Sequence, residues 1–371
     1  MNEPKLAIVH ERFTEIAGSE HVVEQLSLTW PQATVHVPLA RPAGIPSGLS
    51  SPPVTTWVDG AYRMLGRSSY APLMPLLPSA FRGMKLGEVD AVVVSHHAFA
   101  TQAAFATDAP VIAYVHSPAR WAWDPAFRAQ ESGGVAGAAV LAALAQVARR
   151  GELKAVRRLD QVVANSTEVA DRIERWWGRK AVVVHPPVDT HGFTPDFSIE
   201  REDFFLLAGR LVPYKRPDLA IRAARQAGKK LVVVGDGRWM DVCKELAAED
   251  TVFVGRVPHD QLLDLYRRAR ALLMPGVEDF GIVPVEAMAT GAPVIALGEG
   301  GALDTVIPGK SGLLVAPGDD AKVVGGLAEA METFDPNDFN AKAIRAWAEG
   351  FSRKAFGENM MRTVDAVLSS R

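Results

Sequence analysis

The sequence predicts an α/β protein of two doubly wound, parallel-sheet (Rossmann-like) domains. Three observations carry this: apolar β-rich runs alternate with helical patterns, the series starts again after a paired proline, and the chain has 371 residues. Single hydrophobic cores usually stop growing below that length. In the first half the runs are Leu6–His10, Thr34–Val37, Ala91–Ser95, Val111–His116, Gln161–Ala164 and Ala181–Val184, separated by patterns such as Glu20–Leu28 and Val169–Trp177. The second half repeats this at Phe204–Ala208, Leu231–Val234, Thr251–Val254, Ala271–Met274, Pro293–Ala296 and Gly312–Val315. Runs apolar on both faces and joined by helices indicate parallel sheets covered on each side. His185-Pro-Pro-Val-Asp-Thr breaks both helix and strand and is the linker. The expected division is 1–185, 186–350 and a C-terminal helix over 351–371 returning to the first domain. Ligands of open α/β sheets bind beyond the carboxyl ends of the strands, so the expected site is a cleft between two facing sheets.

Composition narrows the class. Hydrophobic residues make up 48% and charged residues 22% of the chain, values of a globular protein. Cys243 is the one cysteine, which excludes an internal disulfide and points to a reducing, cytoplasmic setting; its helical pattern with Trp239, Val242 and Leu246 reads as packing. Met-Asn-Glu-Pro-Lys runs straight into a strand without a signal-peptide pattern. Ser132 to Ala148 is charge-free and rich in Gly and Ala, too short to span a membrane, and reads as a tight buried helix. Through His185 there are 18 basic and 16 acidic residues, and 22 and 27 after it, which argues against a nucleic-acid partner.

The chemistry concentrates in the second half. Glu278-Asp-Phe-Gly-Ile-Val-Pro-Val-Glu286 places one carboxylate in a loop and another on a helix. Each carboxylate can accept two hydroxyl hydrogen bonds, which suits the diols of ribose and hexose. Backbone N–H groups at the helix start, near Gly281 and Ile282, favour an anion between them. Two diol readers around a phosphate cradle describe a nucleotide-diphosphate sugar; an acidic surface loop before an ordinary helix is the alternative. Gly209-Arg-Leu-Val-Pro-Tyr-Lys-Arg-Pro follows a strand directly, so Arg210 and Lys215 share one loop where a guanidinium and an ammonium can bracket a diphosphate. Plain surface cations are the other reading there. Val233-Val-Gly-Asp-Gly237 is a structural glycine turn.

In the first half, His116 leaves a strand tip and is a candidate sugar contact or proton handler, or else a satisfied strand-end histidine. Gly18 either lets backbone approach a phosphate or sits at a helix start capped by Ser19.

Together these segments resemble family 4 of the retaining glycosyltransferases, enzymes of the two-domain GT-B fold. The resemblance covers nearly the whole chain on Asn165-Ser166, Pro186-Pro187-Val188-Asp189, Gly209-Arg210 with Lys215, Glu278 through Glu286 and Gly300-Gly301. Tyr114 to Asp124 looks like a mannosyltransferase subgroup of surface-polysaccharide and glycolipid assembly. The resemblance implies that Arg210 and Lys215 hold the diphosphate beside Gly209, that Glu286 grips the ribose and that Glu278 faces the transferred sugar. It further implies N–H contacts from Phe280, Gly281, Ile282 and Val283, sugar and phosphate contacts from His116 and Gly18, and a base packed near Arg256 and Val257. The family often shows Gly-Gly where this chain has Ala17-Gly18, which puts the Gly18 contact in question.

The implied reaction is transfer of a hexose, with mannose from GDP-mannose expected, to a glycan or glycolipid acceptor with retention of configuration. Cations and helix-start N–H groups aimed at the leaving diphosphate would lower the barrier, so no metal or other cofactor is expected. Asp319-Asp320 reads as a solvated loop. Trp57 to Leu86 mixes aromatics and aliphatics with Arg63, Arg67, Arg82 and Lys85, and carries the hypothesis of contact with an anionic inner membrane face; a core helix with solvated cations is its rival. UDP-sugar transfer and a sugar-nucleotide epimerase are the alternatives in function. A noncatalytic sugar-nucleotide binder would have little reason to keep both glutamates and both cations. A dinucleotide oxidoreductase lacks its Gly-x-Gly-x-x-Gly turn after Leu6–His10.

Overall fold

A computed structural model of the chain describes residues 4–125, 128 and 135–370. It divides into two compact units, Met1–Pro187 with Phe356–Arg371, and Val188–Ala355.

The first unit holds seven strands: β1 (Leu6–His10), β2 (Thr34–Val37), β3 (Val54–Thr55), β4 (Ala91–His96), β5 (Val111–Val115), β6 (Gln161–Ala164) and β7 (Val182–Val183). Their order is β3-β2-β1-β4-β5-β6-β7. Every pair is parallel, and the register runs Leu6↔Ala91 to His10↔Ser95 and Ser95↔Tyr114 to His96↔Val115. That register brings the carboxyl ends of β1, β4 and β5 side by side. Strand alternation assigns each residue to a face. Ala7, Val9, Val92 and Val94 pack with Tyr62, Leu77 and Phe81. Leu6, Ile8 and Val93 pack on the other face with Val23 and Leu26, and with Phe356, Met360 and Val364 of the last helix, Arg353–Ser369. Each fully buried aliphatic or aromatic side chain of this kind stabilises the fold by about 1.5–3 kcal/mol.

The second unit holds β8 (Phe205–Ala208), β9 (Leu231–Val234), β10 (Thr251–Gly255), β11 (Leu272–Met274), β12 (Val294–Leu297) and β13 (Gly312–Val315). They form a second all-parallel sheet in the order β10-β9-β8-β11-β12-β13. In both sheets the order reverses between a first strand and a later neighbour: β1 with β4, and β8 with β11. Such switch points open a crevice at the carboxyl ends, because the helices after the two strands leave in opposite directions. Cys243 is buried in this unit's core, where burial pushes its thiol up to about 11.

Four local expectations need correction. Two-residue β3 was not anticipated, since a strand this short and exposed leaves no alternation to read. Trp57–Leu86 is no single helix: helix Trp57–Met64 stops before Gly66 and Arg67, both at positive φ, and helix Leu77–Arg82 starts only after the proline-bearing 3-10 turn Ala71–Leu76. Within Ser132–Ala148 the described part belongs to helix Val135–Val156, and Val147 is 68% exposed, so this is a one-sided rather than buried helix; Ser132–Gly134 lie outside the described residues. Asp319 is a helix N-cap accepting from the Lys322 N–H, and Asp320 pairs with Arg216, so neither is merely solvated loop.

Candidate active site

In the second unit, the strand-end loops of β8 and β11 meet. Lys215 closes the loop after β8 and reaches Glu278, in the loop after β11, with Nζ donating to Oε1 at 2.6 Å. Both side chains are half-buried. Arg210 is exposed beside them and donates to the Tyr214 hydroxyl at 3.0 Å. Gly209, Arg210, Lys215, Met274, Glu278 and Val283 line one pocket. Glycines permit this closeness. A Cβ on Gly276 would stand 2.6 Å from the Lys215 carbonyl oxygen, and one on Gly300 would stand 2.6 Å from that of Glu278. The neighbouring Gly301 N–H donates to the Glu278 carbonyl at 2.8 Å, pinning the loop that carries the carboxylate.

Behind that loop runs helix Ile282–Ala289, preceded by Gly281 at φ 90°. Its first turn leaves N–H groups without intrahelical partners, a positive pole next to the Lys215–Glu278 pair. Phe280 is buried against Phe351, and Ile282 and Val283 are half-buried against the core, with Val283 also lining the pocket. Glu286 sits one turn into the helix and accepts from the Tyr266 hydroxyl at 3.3 Å. Burial pushes its carboxyl up to about 7, with the Asp189 carboxylate adding to the rise and Tyr266 and Lys215 opposing it. Arg256 follows β10, is largely exposed and lies 4.0 Å from Asp236, while Val257 packs on the core. The Gly235 and Gly237 turn is structural: a Cβ there would collide with the backbone of Gly209 and Leu211.

The first unit's strand ends carry something else. His116 follows β5, and its Nε2 lies 2.8 Å from Ser95 Oγ. Ser95 Oγ is also 3.0 Å from His10 Nδ1, and His10 Nε2 lies 3.2 Å from Glu20 Oε1. Burial, aided by neighbouring imidazoles, holds the His116 pKa well below the usual value. Glu11 Oε1 accepts from four successive N–H groups, those of His97, Ala98, Phe99 and Ala100, at 2.7–3.1 Å. Burial works against the Glu11 charge, but the imidazoles of His97 and His96 and these N–H groups hold its carboxyl at about 2. His96 Nδ1 accepts from the Thr101 N–H at 3.3 Å, so its Nε2 carries the proton given to Glu152 at 2.9 Å. Glu152 also accepts from Trp123 Nε1.

Gly18 opens helix Gly18–Thr29, whose N-cap is Ala17. Ser19 does not cap it; its hydroxyl donates to Glu20 Oε2, which also takes the Ala17 N–H, each at 3.0 Å. A carboxylate therefore already occupies the helix start where a phosphate was expected near Gly18.

Sequence reasoning thus brought together Arg210, Lys215 and Glu278, and missed His10, Glu11, Glu20, Ser95, His96 and Glu152. The signal was present: three strand ends in one half of the chain read Val-His-Glu, Ser-His-His and Val-His-Ser.

Comparison with known proteins agrees with this layout. The family model Glycosyltransferase Family 4 matches residues 16–191, and that of Glycosyl transferases group 1 matches 194–346. The D-inositol 3-phosphate glycosyltransferase 2 of Catenulispora acidiphila is 34% identical over 229 residues, 52% of this chain and 53% of that protein. The D-inositol 3-phosphate glycosyltransferase of Kribbella flavida is 34% identical over 54% of this chain and 55% of its own. The chain therefore spans about half the length of these curated relatives. Among solved structures, the sucrose-phosphate synthase of Thermosynechococcus elongatus superposes with TM-score 0.75 at 18% identity, over 99% of this chain and 100% of that one. Anabaena HepE, solved with UDP and glucose, gives 0.70 at 19% identity over 98% and 100%. The Glycosyltransferase Family 4 model thus matches most of the first unit and the group 1 glycosyl transferase model most of the second, and the chain has the GT-B fold.

Proposed function

We propose that the protein transfers a hexose from a nucleotide-diphosphate sugar to an acceptor, with retention of anomeric configuration. The Lys215–Glu278 pair at the β8/β11 switch point carries the reading. It sets an ammonium and a carboxylate 2.6 Å apart at the mouth of a pocket, beside the exposed Arg210 and a helix start. Cleavage of the sugar–phosphate bond leaves negative charge on the diphosphate. Lys215, Arg210 and the N–H groups before Val283 would receive it with little reorganisation. Glu278 would turn from Lys215 toward the sugar hydroxyls, and Glu286, titrating near neutrality, would take the ribose diol. Arg256 and Val257 would flank the base at the end of β10. His116 would meet the sugar, whereas Gly18, beside the Glu20 carboxylate, is left out of the phosphate cradle.

For the donor, GDP-mannose rests on the likeness of Tyr114–Asp124 to mannosyltransferases, with UDP-sugars as the competing choice. A lipid-linked glycan acceptor rests on the exposed Trp57, Met64 and Leu76 near Arg63; among the described residues no helix is long and apolar enough to cross a membrane. The relatives' names favour a second acceptor, a phosphorylated cyclitol such as inositol 3-phosphate. Thermal-shift screening against GDP-mannose, UDP-glucose, UDP-GlcNAc and NAD, followed by transfer assays with inositol 3-phosphate and lipid-linked glycans, tests the reading. Stabilisation by one sugar nucleotide is expected; stabilisation by NAD alone would overturn it. Sedimentation with liposomes tests the membrane contact, which fails if binding ignores anionic lipid.

A further inference from the structure

We infer that Glu20, His10 and Ser95 position His116 and fix its hydrogen-bonding face, so that an unprotonated Nδ1 is presented to a sugar hydroxyl. The identity of that ligand rests on the transferase reading; the chain of protons does not. Glu20 Oε2 is taken by the Ala17 N–H and the Ser19 hydroxyl, and Oε1 faces His10 Nε2. Burial raises the Glu20 carboxyl, but the hydrogen bond and charge of His10 and the neighbouring donors outweigh it and hold the group at about 2. An ionised carboxylate only accepts, so His10 Nε2 must carry hydrogen. With its one N–H on Nε2, the His10 ring keeps a lone pair at Nδ1, which the Ser95 hydroxyl, 3.0 Å away, fills. Ser95, its proton committed, accepts from His116 Nε2–H. His116 Nδ1 is then bare, and among the described residues it has no hydrogen-bond partner.

The surroundings keep the relay intact. His97 lies edge-on to both His10 and His116, and its Nε2 is engaged by the Arg12 guanidinium at 3.1 Å. Glu11 Oε1 is spent on backbone N–H groups, and its buried Oε2 has no hydrogen-bond partner. A bare, neutral nitrogen attracts a hydroxyl and repels a phosphate or carboxylate, so His116 reads a sugar hydroxyl rather than the leaving group.

Glu20→Gln separates this from a merely structural role. The Ala17 N–H can only donate, so the glutamine oxygen must stay toward it, and the amide NH₂ must face His10 Nε2. Every proton downstream then moves: His10 becomes Nδ1–H, Ser95 turns its hydroxyl to His116 Nε2, and His116 becomes Nδ1–H. The probe is long-range 1H–15N correlation on 15N-histidine-labelled protein at pH 7.5–8, with His116 assigned from the His116→Gln spectrum. The expected result is the Nε2–H tautomer in the parent, the Nδ1–H tautomer in Glu20→Gln, and loss of a single tautomer in Ser95→Ala, which also serves if Glu20→Gln does not fold. An Nδ1–H tautomer in the parent, or an unchanged His116 in a folded variant, overturns the inference. These spectra need no donor, so they stand apart from the transferase reading. With the donor found by screening, Glu20→Gln should raise KM about fivefold with a smaller change in kcat, the scale of one hydrogen bond turned against its partner. An unchanged KM beside an inverted tautomer would overturn the sugar contact.

Discussion

The two sheets share a parallel strand order and a switch point, yet fill that point in opposite ways. In the first unit most of the strand-end polar groups engage one another: Glu11 Oε1 holds four backbone N–H groups, Glu152 joins His96 and Trp123, and Glu20, His10 and Ser95 form a chain, while Glu11 Oε2 and Thr101 Oγ1 stay buried without a partner. His116 at the end of that chain presents Nδ1 without a hydrogen-bond partner among the described residues. In the second unit one exposed guanidinium, one ammonium paired to a carboxylate, and a helix start converge on a lined pocket. The lesson is that topology places a crevice, while internal satisfaction of its polar groups decides whether the crevice is scaffold or binding site.

The largest effect should fall on the second unit's cation. Lys215→Ala is expected to cut transfer about 10²–10³-fold, as removal of one charge-stabilising donor does, with the thermal midpoint nearly unchanged; full turnover would assign the chemistry elsewhere. The mirror experiment is Glu11→Ala in the first unit. Removing a buried acceptor of four N–H groups should cost about 3 kcal/mol in denaturant unfolding, and a negligible loss would show that this cluster is not scaffold. Gly300→Ala comes next. Its Cβ must push on the Glu278 carbonyl, so donor binding should weaken about tenfold, measured by calorimetry, for a displacement of roughly 1.4 kcal/mol.

The smallest effect concerns pH. The Glu286 carboxyl is raised from 4.5 to about 7, so the folded state binds its proton more tightly and stability falls as pH rises from about 4.5 to about 7. Glu11 and Glu20 are lowered from 4.5 to about 2, so their contribution is present above 4.5 and is lost as pH falls through that window. Glu286→Gln should flatten only the upper window in pH-resolved melting, and should abolish a few-fold gain in donor affinity between pH 6 and 8.

Much of the fold was legible because apolar runs buried on both faces leave little choice but a parallel sheet. Val92 to Val94 or Leu231 to Val234 could scarcely be anything else. Arg210, Lys215 and Glu278 were legible because each stands in a loop right after such a run. The pairing of Lys215 with Glu278, 63 residues apart, was not written in either loop; strand order brings them together. The histidine chain stayed hidden for the same reason, since Ser95 lies 85 residues from His10 and looks like one more strand residue. Of the two readings open for the Gly18 turn, capping by Ser19 fails because Ser19 donates to the Glu20 carboxylate, which itself takes the Ala17 N–H.

Calorimetric titration of GDP and UDP into the parent protein and into Lys215→Ala tests the anion site most directly. One nucleoside diphosphate should bind the parent, and the variant should lose at least about tenfold in affinity, the equivalent of roughly 1.4 kcal/mol. Equal binding by parent and variant, or no binding of either nucleotide to the parent, would contradict the account.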